Sequence, residues 1–334
     1  MIFGKSRIFF KAVIITGLLH LSCGSDDENG LGPGQSMEDI SIAENTTETI
    51  VYISVDDFEI PVFLSIPDGC ENKQLPAVVV MHGSNGMWAN NDPESRTMSG
   101  QFTEWQSILT QNCIIGAFVD SYSVRGVLTR TGKWRELPDN FRISAQFERP
   151  KDANAALSLL QNLKYDNGNY VIRHDEIAIL GFSDGATAVA STLMNTSGVP
   201  DSFKWTQSQE GKEYGFSDGV LPPQPKPQKG FAGGVFYYGG SVGYNYWGKH
   251  PCGDEAIESN VFYPYAPMLY NIPENGFLTE NTLCMIDVLK EKGTSVELNL
   301  YKDVGHGFDF DDVPQSTTAR NNTIEWLKEL WSNK

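Results

Sequence analysis

The pentapeptide GFSDG occurs twice in this chain, around Ser183 and around Ser217, and GGSVG around Ser241 has the same pattern. A match to G-x-S-x-G can place a serine on a sharp turn between a strand and a helix, as a nucleophile for a carbonyl carbon. A short apolar run precedes Ser183, and small apolar residues that can form a helix follow it. Ser217 lies in a Gln-, Lys- and Pro-rich stretch typical of a loop, and Ser241 precedes a poor helix start. The sequence therefore predicts Ser183 as the nucleophile.

Such a serine needs a histidine base, and hydrolases built this way carry serine, acid and histidine in that order. The chain has five histidines, but only His306 follows the last predicted strand, at 296–301. The acid is expected after the preceding strand, where the only carboxylate of loop 271–277 is Glu274. It would accept the imidazole N–H and hold the tautomer of His306. Other carboxylates are alternatives: Glu280, Asp254 and Glu255.

Two backbone N–H groups are needed to stabilise the oxyanion that forms during acyl transfer. Asp184 directly follows the nucleophile at the start of a predicted helix, so its N–H is expected to be one donor. The turn HGSNG, at 82–86, follows the first buried strand of the domain and is expected to supply the other. Ser84 is the predicted donor in that turn, and Asn85 is the alternative.

Three side chains are candidates for substrate binding. Arg125 follows a central strand, near the edge of the sheet where ligands bind in open α/β folds, and either receives a substrate carboxylate or forms a structural salt bridge. Trp88 lies beside the oxyanion turn, and Tyr238 belongs to an aromatic group near the site. Such rings stack on sugars or aromatic esters, or pack in the core. The other members of the group are Tyr237, Tyr244, Tyr246 and Trp247.

The predicted elements alternate after an opening antiparallel hairpin at 47–54 and 59–66. Alternation of strands and helices predicts an α/β fold with a mostly parallel sheet covered on both faces. We expect a single domain at 47–334 with a Pro-, Gln- and Lys-rich insertion at about 195–230. The later predicted strands are 77–81, 113–119, 176–181, 231–238, 266–270 and 296–301, and the helices are 99–111, 145–163, 186–194, 279–291 and 317–331.

The beginning of the chain is predicted to be a targeting segment. In residues 1–22, basic residues precede an apolar stretch that is too short to span a bilayer. The segment resembles a bacterial lipoprotein signal, in which Cys23 would be lipidated, and an ordinary secretory signal is the alternative. The acidic residues 24–28 resemble an export tag of surface lipoproteins in Bacteroidetes-type bacteria. Residues 23–46 are expected to be a flexible tether to the cell envelope, at the outer membrane and facing the surface or the periplasm.

Charge and cysteine content exclude some partners and suggest crosslinks. The formal net charge of −17 argues against binding nucleic acid or anionic lipid head groups. Of five cysteines, four remain if Cys23 carries lipid, and an even number in an exported protein suggests disulfides. Three connectivities are open, Cys252–Cys284 is favoured, and four buried thiols are the alternative. The expected partner is a small-molecule or glycan ester.

Four motifs together resemble the dienelactone hydrolase family, and more closely its serine-bearing secreted members. They are PAVVVMHGSNG at 76–86, VDSYSVRGV at 119–127, GFSDG at 181–185 and GHGFD at 305–309. The resemblance implies an α/β-hydrolase fold and hydrolysis of esters or lactones without cofactor or metal. The dienelactone-cleaving members carry cysteine where this chain has Ser183, so a serine esterase with an acyl-enzyme intermediate is expected. The alternatives are a surface carbohydrate (acetyl) esterase and a non-catalytic, glycan-binding relative.

Overall fold

An eight-stranded sheet forms the centre of the protein. The computed structural model describes residues 40–71, 74–129, 141–209, 212–240 and 253–332. The leader, Cys23 and most of the expected tether therefore lie outside the described residues.

The described strands are, in chain order, β1 (Ser41–Ile42), β2 (Glu48–Val55), β3 (Phe58–Ser65), β4 (Leu75–Met81), β5 (Ile115–Val119), β6 (Lys164–Tyr165), β7 (Ile172–Phe182), β8 (Gln207–Gln209), β9 (Lys212–Tyr214), β10 (Gly234–Tyr237), β11 (Met268–Pro273) and β12 (Val296–Tyr301). The described α-helices are α1 (Gly100–Gln111), α2 (Arg149–Asn162), α3 (Asp184–Thr192), α4 (Asp254–Ser259), α5 (Thr279–Glu291) and α6 (Pro314–Ser332).

The order across the sheet is β12-β11-β10-β7-β4-β5-β3-β2. The six strands from β12 to β5 pair in parallel, whereas β2 and β3 form the antiparallel hairpin that the sequence predicts. Every residue of β4, β5 and β10 is buried, as expected for parallel strands covered on both faces. The carboxyl ends of the parallel strands meet at one edge, and this edge carries the candidate site.

The two faces of the sheet have separate hydrophobic cores. Successive residues of β4 alternate between them, so that Val79 contacts the core under α2, α3 and α5 while Val78 and Val80 contact the core under α1 and α6. Trp105 of α1 and Leu157 of α2 are almost completely buried on opposite faces. The predicted doubly covered α/β architecture is therefore confirmed.

The fold begins before the expected boundary at residue 47. β1 pairs in parallel with β6, and Ile42 is 7% exposed within the core. The insertion at 195–230 also contains structure, because β8 and β9 form a short hairpin and Val220 is buried. The end of the tether and this insertion are therefore packed against the domain where they are described.

A disulfide joins Cys70 and Cys113, whose Cα atoms lie 6.0 Å apart. The alternative of four free thiols is thus wrong for this pair. Cys284 is also disulfide-bonded, but its predicted partner Cys252 lies outside the described residues. Across the described ranges, no helix is long and apolar enough to span a membrane.

Candidate active site

Ser183 has the geometry of a nucleophile elbow. β7 ends one residue before it and α3 begins one residue after it, while Ser183 itself has φ 51° and ψ −113°. A positive φ at a non-glycine residue costs on the order of 1–3 kcal/mol and is concentrated at functional sites. A Cβ on Gly181 would lie 2.2 Å from the Gly185 carbonyl oxygen, and one on Gly185 would lie 2.1 Å from that of Met81. Both flanking glycines are therefore needed for the backbone to turn here.

The other two serines of the same pattern do not share this geometry where they are described. Ser217 lies in an exposed 3-10 turn, Phe216–Asp218, which is not between a strand of the central sheet and an α-helix. Ser241 lies outside the described residues.

His306 is hydrogen-bonded to the predicted nucleophile, with 2.9 Å between its Nε2 and Ser183 Oγ. It lies in the loop after β12, and parallel pairing places that loop at the same edge of the sheet as the end of β7. The distance is within the range for a nucleophile and its general base. The two residues predicted from motif and chain order are therefore in contact.

Aromatic rings surround the imidazole of His306. Its centroid lies 4.8 Å from the ring of Tyr238 and 4.4 Å from that of Phe277. Burial lowers the pKa of His306 to about 4, because the charged form loses solvation among these rings. At neutral pH the imidazole is therefore uncharged, which is the form that accepts a proton from a serine.

Glu274 is not hydrogen-bonded to His306, contrary to the predicted role of this carboxylate. β11 continues to Pro273, so Glu274 leaves directly from the strand end, and its backbone N–H donates to the Tyr301 carbonyl at 2.7 Å. The exposed carboxylate accepts a hydrogen bond from the Asp303 N–H at 3.2 Å. His306 Nδ1 is buried and has no hydrogen-bond partner among the described residues.

The alternative acids are also placed elsewhere. Glu280 and Glu255 are exposed on α5 and α4, and Asp254 is the first residue of α4. In the described part of the chain the site is thus a serine–histidine pair without a carboxylate on the second imidazole nitrogen.

The predicted oxyanion donors lie on either side of the nucleophile. A Cβ on Gly83 would lie 3.5 Å from Ser183 Cβ, so the turn after β4 passes directly over the elbow. Ser84 and Asn85 of this turn line the cleft, and Asp184 is the first residue of α3. This arrangement suits two N–H groups that converge on one oxygen, and the choice of Ser84 and Asp184 stays a prediction.

A cleft of about 880 Å³ opens over Ser183 and His306. Uncharged polar side chains form much of its wall, namely Asn85, Asn90, Asn91, Ser99, Gln101 and Thr129. Two aromatic rings are exposed at the cleft, Phe277 at 77% and Phe310 at 51%. The sequence prediction missed both phenylalanines, because an apolar residue in a loop gives no signal that it faces solvent.

Trp88 and Tyr238 line the cleft as predicted, but their polar groups are engaged inside the protein. The Trp88 indole N–H donates to Asp120 at 2.6 Å. The Tyr238 hydroxyl donates to Asp309 and accepts from Gln101 Nε2 at 2.8 Å. A substrate would therefore meet the rings of these residues rather than their donor groups.

Asp309 is a buried carboxylate that the sequence reading did not assign. It also accepts hydrogen bonds at 3.0 Å from Gln101 Nε2 and from the Trp105 indole N–H. Burial raises its pKa to about 6, although these donors oppose the shift. Asp309 holds the hydroxyl of Tyr238, whose ring packs against His306. In the sequence, only the position of Asp309 three residues after the histidine indicated that it lies near the site.

The remaining aromatic candidates do not reach the cleft where they are described. Tyr237 is completely buried, and its hydroxyl donates to the Ala319 carbonyl at 2.9 Å. Tyr244, Tyr246 and Trp247 lie outside the described residues.

Arg125 is a structural residue rather than a substrate ligand. Its two terminal nitrogens donate to Asp152 at 2.7 and 2.8 Å, and the residue is 3% exposed. Of the two alternatives open from the sequence, the geometry favours the salt bridge. Nor does any group of His, Cys, Asp and Glu side chains among the described residues have the arrangement of a metal site.

The fold is similar to those of solved hydrolases. A protein of Klebsiella pneumoniae assigned as a dienelactone hydrolase is 16% identical with a TM-score of 0.52, over 84% of this chain and 98% of that one. Propionate-bound esterase 2 of Thermogutta terrifontis is 16% identical with a TM-score of 0.52, over 85% and 94%. A dienelactone hydrolase-like promiscuous phosphotriesterase from metagenomic libraries is 12% identical with a TM-score of 0.52, over 85% and 98%.

No protein-family model and no curated protein matches this chain. At identities of 12–16%, these similarities show the fold alone. In this chain the parallel strand order, the elbow after β7 and the histidine after β12 are features of the same fold. This protein has the α/β-hydrolase fold.

Proposed function

We propose that this protein is a serine esterase of the dienelactone hydrolase family. The observation that carries the proposal is the hydrogen bond of 2.9 Å between Ser183 Oγ, on a strained elbow, and His306 Nε2. The similar structures support it, since they include a dienelactone hydrolase and an esterase, and so does the cleft above the two residues.

In the proposed reaction, Ser183 Oγ attacks the ester carbonyl carbon while its proton passes to His306 Nε2. The backbone N–H groups of Ser84 and Asp184 stabilise the oxyanion. When the intermediate collapses, the alcohol leaves with the proton from Nε2. Water, deprotonated by the same nitrogen, then attacks the acyl-enzyme carbonyl. When this second intermediate collapses, the bond to Ser183 Oγ breaks, Nε2 returns the proton to Oγ, and the carboxylic acid is released.

The sequence predicts Glu274 as the acid of a catalytic triad with Ser183 and His306. In the geometry described above Glu274 binds the Asp303 N–H instead, so we propose Ser183 and His306 as the unit that is sufficient for chemistry. A carboxylate that fixes the histidine tautomer raises the rate, but a serine–histidine pair with an oxyanion hole retains catalysis.

A fluorophosphonate probe tests the proposal, because it reacts only with an activated serine. Esterase 2 of Thermogutta terrifontis is phosphorylated by paraoxon, which makes an organophosphorus probe a suitable choice. We expect a single labelled peptide containing Ser183, and loss of labelling and of 4-nitrophenyl acetate hydrolysis in Ser183→Ala. The matched control is Ser217→Ala, which changes the same GFSDG sequence in an exposed turn and should remain active.

The same experiment distinguishes the esterase from the non-catalytic alternative. The absence of a Glu274–His306 hydrogen bond would also fit a glycan-binding relative without esterase activity. Such a protein would show no Ser183-dependent labelling. Labelling at Ser217, or equal labelling of the Ser183→Ala variant, would overturn the assignment of the nucleophile.

One observation favours a narrower substrate class within this proposal. The cleft is lined by the amide side chains of Asn90 and Asn91 together with the exposed rings of Phe277 and Phe310. Amides bind hydroxyl groups and rings stack on sugar faces, so acetylated carbohydrate is the favoured natural ester. Acetate release from acetylated glycans would distinguish it from a general carboxylic ester.

The proposed location is the cell envelope, through a lipid on Cys23. The basic and apolar leader and the acidic segment that follows Cys23 support this. Cys23→Ser should move the protein from the detergent phase to the aqueous phase in a partitioning assay. Unchanged partitioning would contradict the lipid anchor.

A further inference from the structure

Arg149 lies between the two segments that carry the predicted oxyanion donors. It is completely buried near the start of α2. Its Nη1 donates to Asp184 Oδ2 at 2.8 Å, and its Nη2 donates to the His82 carbonyl oxygen at 2.6 Å. Asp184 directly follows the nucleophile, and His82 begins the turn that contains Ser84. A single guanidinium thus bridges both sides of the oxyanion site.

These two segments are also in direct backbone contact. A Cβ on Gly185 would lie 2.1 Å from the Met81 carbonyl oxygen and 2.5 Å from that of His82. The first turn of α3 therefore rests on the end of β4 without intervening side chains. In this close packing, the planar fork of Arg149 can fix both the distance and the relative orientation of the two turns.

The charge of Asp184 gives Arg149 a second task. Asp184 directly follows the nucleophile, so an unpaired carboxylate on this residue would oppose the negative charge that develops during acyl transfer. Arg149 forms an ion pair with the Asp184 carboxylate, and the Tyr122 hydroxyl donates a further hydrogen bond at 2.8 Å. His82 adds no charge, because burial and then the charge of Arg149 lower its pKa to about 4.

We propose that Arg149 is a positioning residue of the oxyanion hole. It holds the Ser84 turn and the Asp184 turn at the separation where their N–H groups converge on one oxygen, and it neutralises the Asp184 carboxylate. This inference rests on the proposed esterase function, since it concerns the stabilisation of an oxyanion formed at Ser183. Arg149 has no contact with substrate in this proposal and acts through the two turns.

The test compares Arg149→Met and Arg149→Lys with the wild type, using 4-nitrophenyl acetate and counting active sites with the fluorophosphonate probe. For Arg149→Met we expect kcat per labelled site to fall on the order of 10²-fold, as for the loss of an oxyanion donor. KM should stay within about threefold, because the lost interaction acts in the transition state. Arg149→Lys should recover part of kcat, because its charge remains but two fixed hydrogen bonds do not.

Asp152 provides the matched control on the same helix. Its carboxylate is completely buried in an ion pair with Arg125, away from the elbow. Asp152→Asn should lower the melting temperature as the Arg149 variants do, yet keep kcat per labelled site within about threefold, since this pair does not touch either turn. A loss caused only by instability would lower kcat per labelled site equally in both sets of variants.

The outcomes separate this inference from the proposed function. A wild type without Ser183-dependent hydrolysis would refute the esterase proposal. An active wild type with a folded Arg149→Met variant of unchanged kcat would refute the role of Arg149 alone. If Arg149→Met does not fold, Arg149→Lys decides: a kcat within about threefold of the wild type overturns the inference, and a larger fall at constant KM supports it.

Discussion

At the scale of single residues, Ser183 and His306 were predictable because each has a signal that does not depend on side-chain direction. The elbow needs a strand, a tight turn and a helix, and all three are visible around Ser183. His306 is the only histidine after the last strand. The acid was different, because its role depends on where β11 ends and on the direction of one flexible side chain. Sequence order identified the loop, but the Glu274 carboxylate turns to the Asp303 N–H.

Replacement of Glu274 by glutamine measures the contribution of this carboxylate. If Glu274 held the tautomer of His306, Glu274→Gln would lower turnover on the order of 10⁴-fold. Since the carboxylate is exposed and bound to a backbone N–H in the structure, we expect a loss of less than about tenfold, as for a surface loop contact. Steady-state kinetics on the purified variant measures this, and a loss near the larger value would restore Glu274 to the triad.

The pH profile of the wild type is the second measurement for the same prediction. Burial lowers the pKa of His306 to about 4, so the neutral base persists until the pH falls toward that value. The acid limb of kcat/KM, which reports the free enzyme, should therefore lie well below the ordinary histidine pKa of about 6.5. A carboxylate paired with the imidazole would favour the charged form and raise this limb. An acid limb above pH 6 in the wild type would thus contradict the unpaired histidine.

At the scale of elements, periodicity predicted the strands and helices well, and chemistry at their ends explains the differences. α5 and β12 have the predicted bounds. α2 begins at Arg149 rather than at 145, because Pro150 in its first turn favours a helix start. β7 begins at Ile172, earlier than predicted, because Ile172 pairs with Leu75 of β4 across a register shift, and the polar residues 173–176 lie between this pair and the regular pairing that starts at Ile177. Such pairing depends on a neighbouring strand and cannot be read from local hydrophobicity.

The contact between α3 and β4 can be tested at Gly185. A methyl group there would meet the Met81 and His82 carbonyl oxygens, which belong to backbone and cannot move aside cheaply. Gly185→Ala should therefore lower both the melting temperature and kcat, because the elbow must shift away from the oxyanion turn. Thermal melting and kinetics on the purified variant provide the measurements.

Gly198→Ala is the matched control, because a Cβ at Gly198 would meet no atom within 4 Å and its backbone does not require glycine. This variant should keep the stability and activity of the wild type. If Gly185→Ala also kept wild-type stability and activity, this would contradict the close packing of α3 against the end of β4.

At the scale of the whole molecule, the candidate site and the disulfide lie at opposite ends of the strands of the central sheet. The carboxyl ends of the parallel strands carry the candidate site, whereas the Cys70–Cys113 disulfide lies beyond the opposite edge, after β3 and before β5. Ser65 at the end of β3 pairs with Gly116 near the start of β5, which brings the two cysteines together. The sequence left the disulfide connectivity open, because pairing depends on this long-range register and not on spacing along the chain.

Removal of this disulfide should therefore affect stability without affecting chemistry. With the two cysteines separated by 43 positions in the sequence, the chain-entropy relation gives a stabilisation of about 4 kcal/mol. In the double variant Cys70→Ala with Cys113→Ala, which leaves no free thiol at this position, the free energy of unfolding in urea should fall by about this amount. The kcat per fluorophosphonate-labelled site should stay unchanged, since the crosslink lies at the edge away from Ser183 and His306. An unfolding free energy that stays the same would mean that packing between β3 and β5 alone holds this edge, and a selective loss of kcat would show that the two edges of the sheet are coupled.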